Sequence, residues 1–513
     1  MNAGFGISAI TFVCVITLGI GAFGLRLSRT TSDFYVASRA VSPGWNASAI
    51  GGEYLSAASF LGVAGLVYSL GVDMLWFPVG YTVGYVVLLV LVAAPLRRSG
   101  AYTLPDFAEA RLESTQVRRL CSFLVVSIGW LYLLPQFQGA GMALNTVTGA
   151  PSWVGGLIVA VVVMANVVAG GMRSITLVQA VQYWLKLTAI SIPAFVLLWL
   201  WLRHGSPPPR VPATAGGSEW TRPLGGFGGR DHPVYATYST LLALCFGTMG
   251  LPHVLVRFYT NPDGRAARRT TLVVIGLLGL FYVFTPVYGV LGRVYMPTLP
   301  LGARTDAVVL LLPIAVSPGL LGELLSALLA GGAFAAFLST ASGLTIAVAG
   351  VLDQDLLRPR FNLRTGGDSV AVQGFRVAAV GAVVVPYAFS QLSVGVGLAD
   401  TVGLAFAVAA STFCPLLVLG VWWRGLSTAG AAAGLVTGGV LAMTAVLTTV
   451  IGGVHPGWVG ALLAQPAAWT VPIAFLVAVL VSLATPSRIP KGTARSMVRL
   501  HTPEDLVLDR APR

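Results

Sequence analysis

Along this chain, apolar runs of membrane-spanning length alternate with short polar segments, and the alternation predicts a bundle of thirteen transmembrane helices. A bilayer core takes about 20 apolar residues of helix. The runs fall at roughly 5–25, 46–70, 74–96, 117–147, 152–172, 176–202, 234–257, 270–293, 316–352, 376–393, 397–423, 428–452 and 466–485. Two of them are interrupted. Span 2 carries Gly51, Gly52, Glu53, Ser56, Ser59, Gly62 and Gly65, so a break with unpaired carbonyls is expected near Gly51 and Gly52. Such backbone survives in hydrocarbon only when it lines a cavity or is buried in protein. In span 7, Gly247, Gly250 and Pro252 interrupt the middle, where proline removes an N–H and collides with the preceding turn.

Broken helices five spans apart are the sequence sign of a transporter built from two inverted five-helix repeats. Spans 2–6 and 7–11 then form the repeats, and the third helix of each, 117–147 and 316–352, is unusually long. The expected organisation is an N-terminal extra helix and loop (1–45), a first repeat (46–202), an extracellular loop (203–233), a second repeat (234–423), two peripheral helices (424–485) and a cytoplasmic tail (486–513). The competing explanation of the glycines is close helix packing.

Composition supports a membrane chain. Of 513 residues, 56% are hydrophobic and 10% are charged, against about 25% charged in a soluble domain. The net charge of +13 would suit nucleic acid, but the basic residues are dispersed between the spans. With the N-terminus outside, inner segments hold 24 Lys and Arg and outer ones 6, with Lys186 inside a span. That asymmetry places the N-terminus outside and the C-terminus in the cytoplasm. The four cysteines stand singly in apolar runs, as packing residues do. Paired carboxylates, Cys/His metal spacing, a nucleophile elbow and a phosphate loop are all lacking, so no catalytic residue and no organic cofactor are expected.

Candidate chemistry centres on Ala336, Ser339 and Thr340 in span 9, related by i, i+3 and i+4. One carbonyl and two hydroxyls on one face could ligate a small hard cation. Equally, the hydroxyls could bond back to the helix or join it to a neighbour. Ionisable residues inside spans are coupling candidates: Glu53, as proton carrier or helix cap; Lys186, to hold an unwound carbonyl or to snorkel, with nothing deciding between them; and His253. Arg257, four residues after His253, is expected to snorkel to the inner interface. Gln136 and Gln138 flank Phe137 in span 4, and at least one amide should face the bundle interior.

These residues resemble the sodium:solute symporter family, most closely its bacterial cation/acetate (monocarboxylate) branch. The resemblance rests on SDFYVASRAVSPGWNASAIGGEYLSAASFLGVAG (32–65), RRSGAYTLPDFAEARL (97–112), GGMRSITLVQAVQYWLK (170–186), FGTMGLPHVLVRFYT (246–260) and GGAFAAFLSTASGLTIAVAGVLDQDLL (331–357). It implies an all-α, LeuT-like core and co-transported Na+, bound by the carbonyls of Gly52, Leu55 and Ala336 and the hydroxyls of Ser339 and Thr340. It also implies a small carboxylate held at mid-membrane, with Ser56, Ala57, Phe60, Gln136, Gln138, Phe246, Gly247, Thr248 and Gly250 as candidate contacts. Some family members have an aspartate where this chain has Tyr54 or Gln179, which leaves stoichiometry and proton coupling open. The function implied is Na+-coupled symport of acetate, propionate or pyruvate across the cell membrane. The alternatives are proline or a sugar as solute, proton coupling, or a sensor that binds solute without transporting it.

Overall fold

A computed structural model describes residues 3–25, 41–210, 220–224, 231–298, 305–358, 368–392, 397–453 and 455–504, all helical or irregular. In chain order the principal helices are α1 (Ala3–Leu25), α2 (Pro43–Tyr54), α3 (Val63–Leu70), α4 (Trp76–Leu91), α5 (Thr115–Thr148), α6 (Ser152–Arg203) and α7 (Pro233–Gly247). There follow α8 (Pro252–Tyr259), α9 (Gly264–Tyr282), α10 (Leu320–Val351), α11 (Asp368–Ser390), α12 (Leu398–Trp422), α13 (Thr428–Gly452) and α14 (Ala467–Ala484). Ten described helices are long and apolar enough to cross a membrane, eleven if the bent pair α2 and α3 counts as one. The first part of α6 and α11 occupy the two remaining expected positions.

Spans 5 and 6 meet with almost no loop, because α6 turns at Gly171 (φ 59°, ψ −164°). That conformation is open to glycine and strained for a residue with a Cβ.

The centre of the bundle is α10. It is apolar on every side, and every residue from Leu329 to Val351 is buried, as befits a helix surrounded by protein. Around it pack α6, α5, α1, α11 and α2. Outer helices instead expose apolar stripes: Val79, Val83, Val86 and Val90 on α4 are each at least 40% exposed. A stripe at that helical spacing suits contact with lipid chains.

Both predicted interruptions are present, but one is displaced. In span 2 the chain stays helical through Gly51 and Gly52 to Tyr54, breaks at Leu55–Ala57, and resumes through a π-helical turn (Ala58–Gly62) into α3, bent by 69°. The glycine pair serves packing. A Cβ on Gly52 would lie 2.1 Å from the Gln179 carbonyl oxygen, and one on Gly51 would lie 2.9 Å from the Tyr183 ring. Their smallness lets α2 lie directly on α6. Gly52→Ala is therefore expected to destabilise the protein by about 1–3 kcal/mol or more, because the obstructing atom is backbone. Thermal unfolding in detergent checks this, and a variant as stable as the parent would sink the packing account.

In span 7, α7 passes into a 3₁₀ turn (Thr248–Gly250), Leu251 is extended (φ −76°, ψ 118°), and α8 starts at Pro252. Proline at a helix start loses nothing, since that N–H has no intrahelical partner.

Candidate functional site

The end of α2 leaves its last carbonyls short of intrahelical donors, and those of Gly52, Glu53 and Leu55 find partners from other helices. Thr340 Oγ1 donates to the Glu53 carbonyl at 2.5 Å. The Lys186 ammonium donates to the carbonyls of Gly52 and Leu55, the latter at 2.8 Å, and to Ser339 Oγ at 2.9 Å. Ser339 Oγ in turn donates to the Ala336 carbonyl at 3.0 Å. Across the break, Gln136 Oε1 accepts the Ala57 N–H at 3.1 Å, while its amide donates to the Tyr132 carbonyl at 3.3 Å. A side chain of α5 thus satisfies the N–H group of the last residue of the break.

Of the five expected cation ligands, Gly52, Leu55 and Ser339 present oxygens to one point, and the Lys186 ammonium occupies it. Ala336 lies one bond behind Ser339, and Thr340 faces the Glu53 carbonyl.

Beside this point is a buried polar cluster. Arg257 does not reach the interface. It is 1% exposed and donates from Nε to Glu53 Oε2 at 2.6 Å, from Nη1 to Thr176 Oγ1 at 2.6 Å, and from Nη2 to Gln179 Oε1. Gln179 Nε2 donates to the Ser339 carbonyl at 2.7 Å. Snorkelling is excluded because α8 runs inside the bundle, where all eight of its residues are buried.

An aromatic layer lines the other side of the break. The Tyr54 ring lies 4.8 Å from Tyr85, 5.8 Å from Tyr81 and 6.1 Å from Phe406. Tyr81 stacks on Tyr282 at 5.9 Å, and Tyr132 meets Phe406 at 5.9 Å and His253 at 5.2 Å. The Tyr54 hydroxyl joins the two broken spans through Thr248 Oγ1 at 2.9 Å. The Tyr81 and Tyr85 hydroxyls and both ring nitrogens of His253 are buried without a hydrogen-bond partner. Buried polar atoms rarely stay unsatisfied in a finished core.

The other sequence candidates scatter more widely. Ser56 is buried in the break beside Tyr132, and Phe60 packs on Phe281 at 6.0 Å. Gly247 and Gly250 are close-approach points: a Cβ there would lie 2.5 Å from the Phe406 carbonyl oxygen and 2.4 Å from that of Ala409. Phe246 is half-buried. Gln138 donates to the Ser390 carbonyl at 3.5 Å, at the end of α11.

Sequence reading missed Tyr81, Tyr85, Tyr132, Tyr282 and Phe406. A signal existed for two of them, since Phe77, Tyr81 and Tyr85 recur every four residues on one face of α4.

The profile of the Sodium:solute symporter family matches residues 34–438. YwcA of Bacillus subtilis (strain 168), described as an uncharacterized symporter, is 32% identical over 434 residues, covering 84% of this chain and 83% of its own length. Among solved structures, a Na+-coupled sialic acid symporter in its substrate-bound outward-open state aligns with a TM-score of 0.69 at 14% identity, over 93% of this chain and 98% of that one. MhsT in complex with L-phenylalanine aligns with a TM-score of 0.51 at 15% identity, over 86% and 99%. At these identities the two structures share the fold.

Proposed function

Because the chain belongs to the sodium:solute symporter family, it is a sodium-coupled solute symporter and not an enzyme, and we propose that its solute is a short monocarboxylate such as acetate, propionate or pyruvate. The observation that carries this reading is the pairing of two features at one break. On one side the oxygens of Gly52, Leu55 and Ser339 converge. On the other side are the unpartnered hydroxyls of Tyr81 and Tyr85, whose rings lie against Tyr54, and the unpartnered His253 ring, which lies against Tyr132.

Phenol hydroxyls donate well to a carboxylate, and a helix start beside them adds partial positive charge. A small apolar tail would pack on the rings, and one methylene more or less changes affinity by only about 1–3 kcal/mol. Several short acids should therefore compete. In this reading Na+ takes the carbonyls of Gly52, Leu55 and Ala336 and the hydroxyls of Ser339 and Thr340. The protein lies in the cell membrane with its N-terminus outside and its C-terminus in the cytoplasm.

Uptake of labelled acetate into proteoliposomes tests the proposal. An imposed Na+ gradient is expected to drive accumulation that propionate and pyruvate block and that proline and glucose leave alone. Tyr81→Phe and Tyr85→Phe should each raise the acetate KM several-fold with the Na+ dependence kept. Block by proline or glucose would change the substrate class, and uptake driven only by a pH gradient would overturn Na+ coupling.

A further inference from the structure

Lys186 sits in the second half of α6 with no solvent exposure. Its ammonium has three protons, and three oxygens take them: the carbonyls of Gly52 and Leu55 and the hydroxyl of Ser339. Two of these acceptors are available only because α2 stops here. In a continuous helix the Gly52 and Leu55 carbonyls would accept from the N–H groups of Ser56 and Ser59. The break and α10 thus build one oxygen nest around one positive charge that α6 supplies.

The same nest is assigned above to Na+. Two unit positive charges cannot share it, because they would repel strongly within a few ångströms in a buried site. Glu53, whose carboxylate also acts on Lys186 electrostatically, is already bonded to Arg257 and cannot balance a second added cation. We propose that Lys186 is a tethered competitor of Na+: its ammonium fills the cation site and ties the broken helix to α10, and Na+ enters only by displacing it. The inference rests on the reading of this nest as the Na+ site.

Displacement has a functional consequence. When no Na+ is bound, the freed carbonyls keep a cation, so the empty carrier does not bury them unsatisfied as it resets. When Na+ arrives, it can also recruit the Ala336 carbonyl and the Thr340 hydroxyl, which the ammonium does not touch. The side chain therefore raises the Na+ concentration needed for loading without being carried itself.

Binding of ²²Na+ to purified protein measures the competition directly. A tethered group acts at an effective concentration of roughly millimolar or more, so Lys186→Met and Lys186→Gln are each expected to lower half-saturating Na+ at least about tenfold. Unchanged or weakened binding in folded variants overturns the proposal. A structure of the unaltered protein at saturating Na+ gives a second readout that does not depend on the variants folding. It is expected to show the ammonium withdrawn from Gly52 and Leu55 and the ion among their carbonyls, whereas Lys186 still bonded to both overturns the displacement. Acetate uptake by the unaltered protein separates the two levels. Uptake indifferent to Na+ brings down the coupling itself, while Na+-driven uptake with unchanged affinity in both variants overturns only the role of Lys186.

Discussion

Arg257→Met is expected to destabilise the protein by about 3–5 kcal/mol, the usual consequence of removing one member of a buried ion pair. Its guanidinium touches three acceptors on two helices: Glu53 at the end of α2, and Thr176 and Gln179 on α6. Asn46 further fixes the strand of contacts by donating to the Arg257 carbonyl at 3.1 Å. Methionine would leave the Glu53 carboxylate, 2% exposed, without its cation. Lysine should rescue little, because one ammonium on a flexible stem does not reproduce a planar fork with donors in three directions.

Pairing Arg257→Met with Glu53→Gln removes the stranded charge, so the double variant is expected to be more stable than Arg257→Met alone. Coupling energies in such cycles run to about 0.5–3 kcal/mol. Thermal unfolding in detergent and abundance in the membrane read both effects. An Arg257→Met protein that unfolds at the parental temperature would show that this pair does not hold the two broken spans together.

What could be read from the sequence was what local chemistry determines. Span positions followed from apolar length, and the break in span 7 followed from Pro252, whose missing N–H acts within its own turn. The break in span 2 was displaced for a physical reason. Gly51 and Gly52 have two possible uses, loosening a helix or admitting a neighbour, and the choice depends on the Gln179 backbone more than 120 residues away. The same holds for Arg257. Spacing from His253 places it on a helix, but only the packing of α8 against α2 and α6 shows whether that helix end meets water or Glu53.

Lys186 is the sharpest case. Its place in a span allowed either snorkelling or a bond to an unwound carbonyl, and nothing beside it in the sequence reveals that its stem reaches the break of span 2. The aromatic layer was hidden differently, since tyrosines in membrane spans are common and their hydroxyls gain meaning only when several are buried together without partners. In each instance the missing information was tertiary: which element lies opposite.

The second large effect concerns the two hydroxyls of α10. Ser339→Ala with Thr340→Ala is expected to raise the half-saturating Na+ by at least about tenfold with the fold intact, since a polar contact to a charged group contributes about 1.5–3 kcal/mol. The single variants should be unequal. Ser339 serves the Lys186 ammonium as well as the proposed ion, so its removal weakens both competitors and the losses partly cancel. Thr340 donates to the Glu53 carbonyl and leaves the ammonium alone, so its removal weakens only the ion. Thr340→Ala is therefore expected to raise the Na+ requirement more than Ser339→Ala. Acetate uptake against external Na+, measured for both single variants and the pair, decides the order. Equal shifts would mean that Na+ and Lys186 do not exchange at these oxygens, and no shift in the pair would place the coupling ion elsewhere in the bundle.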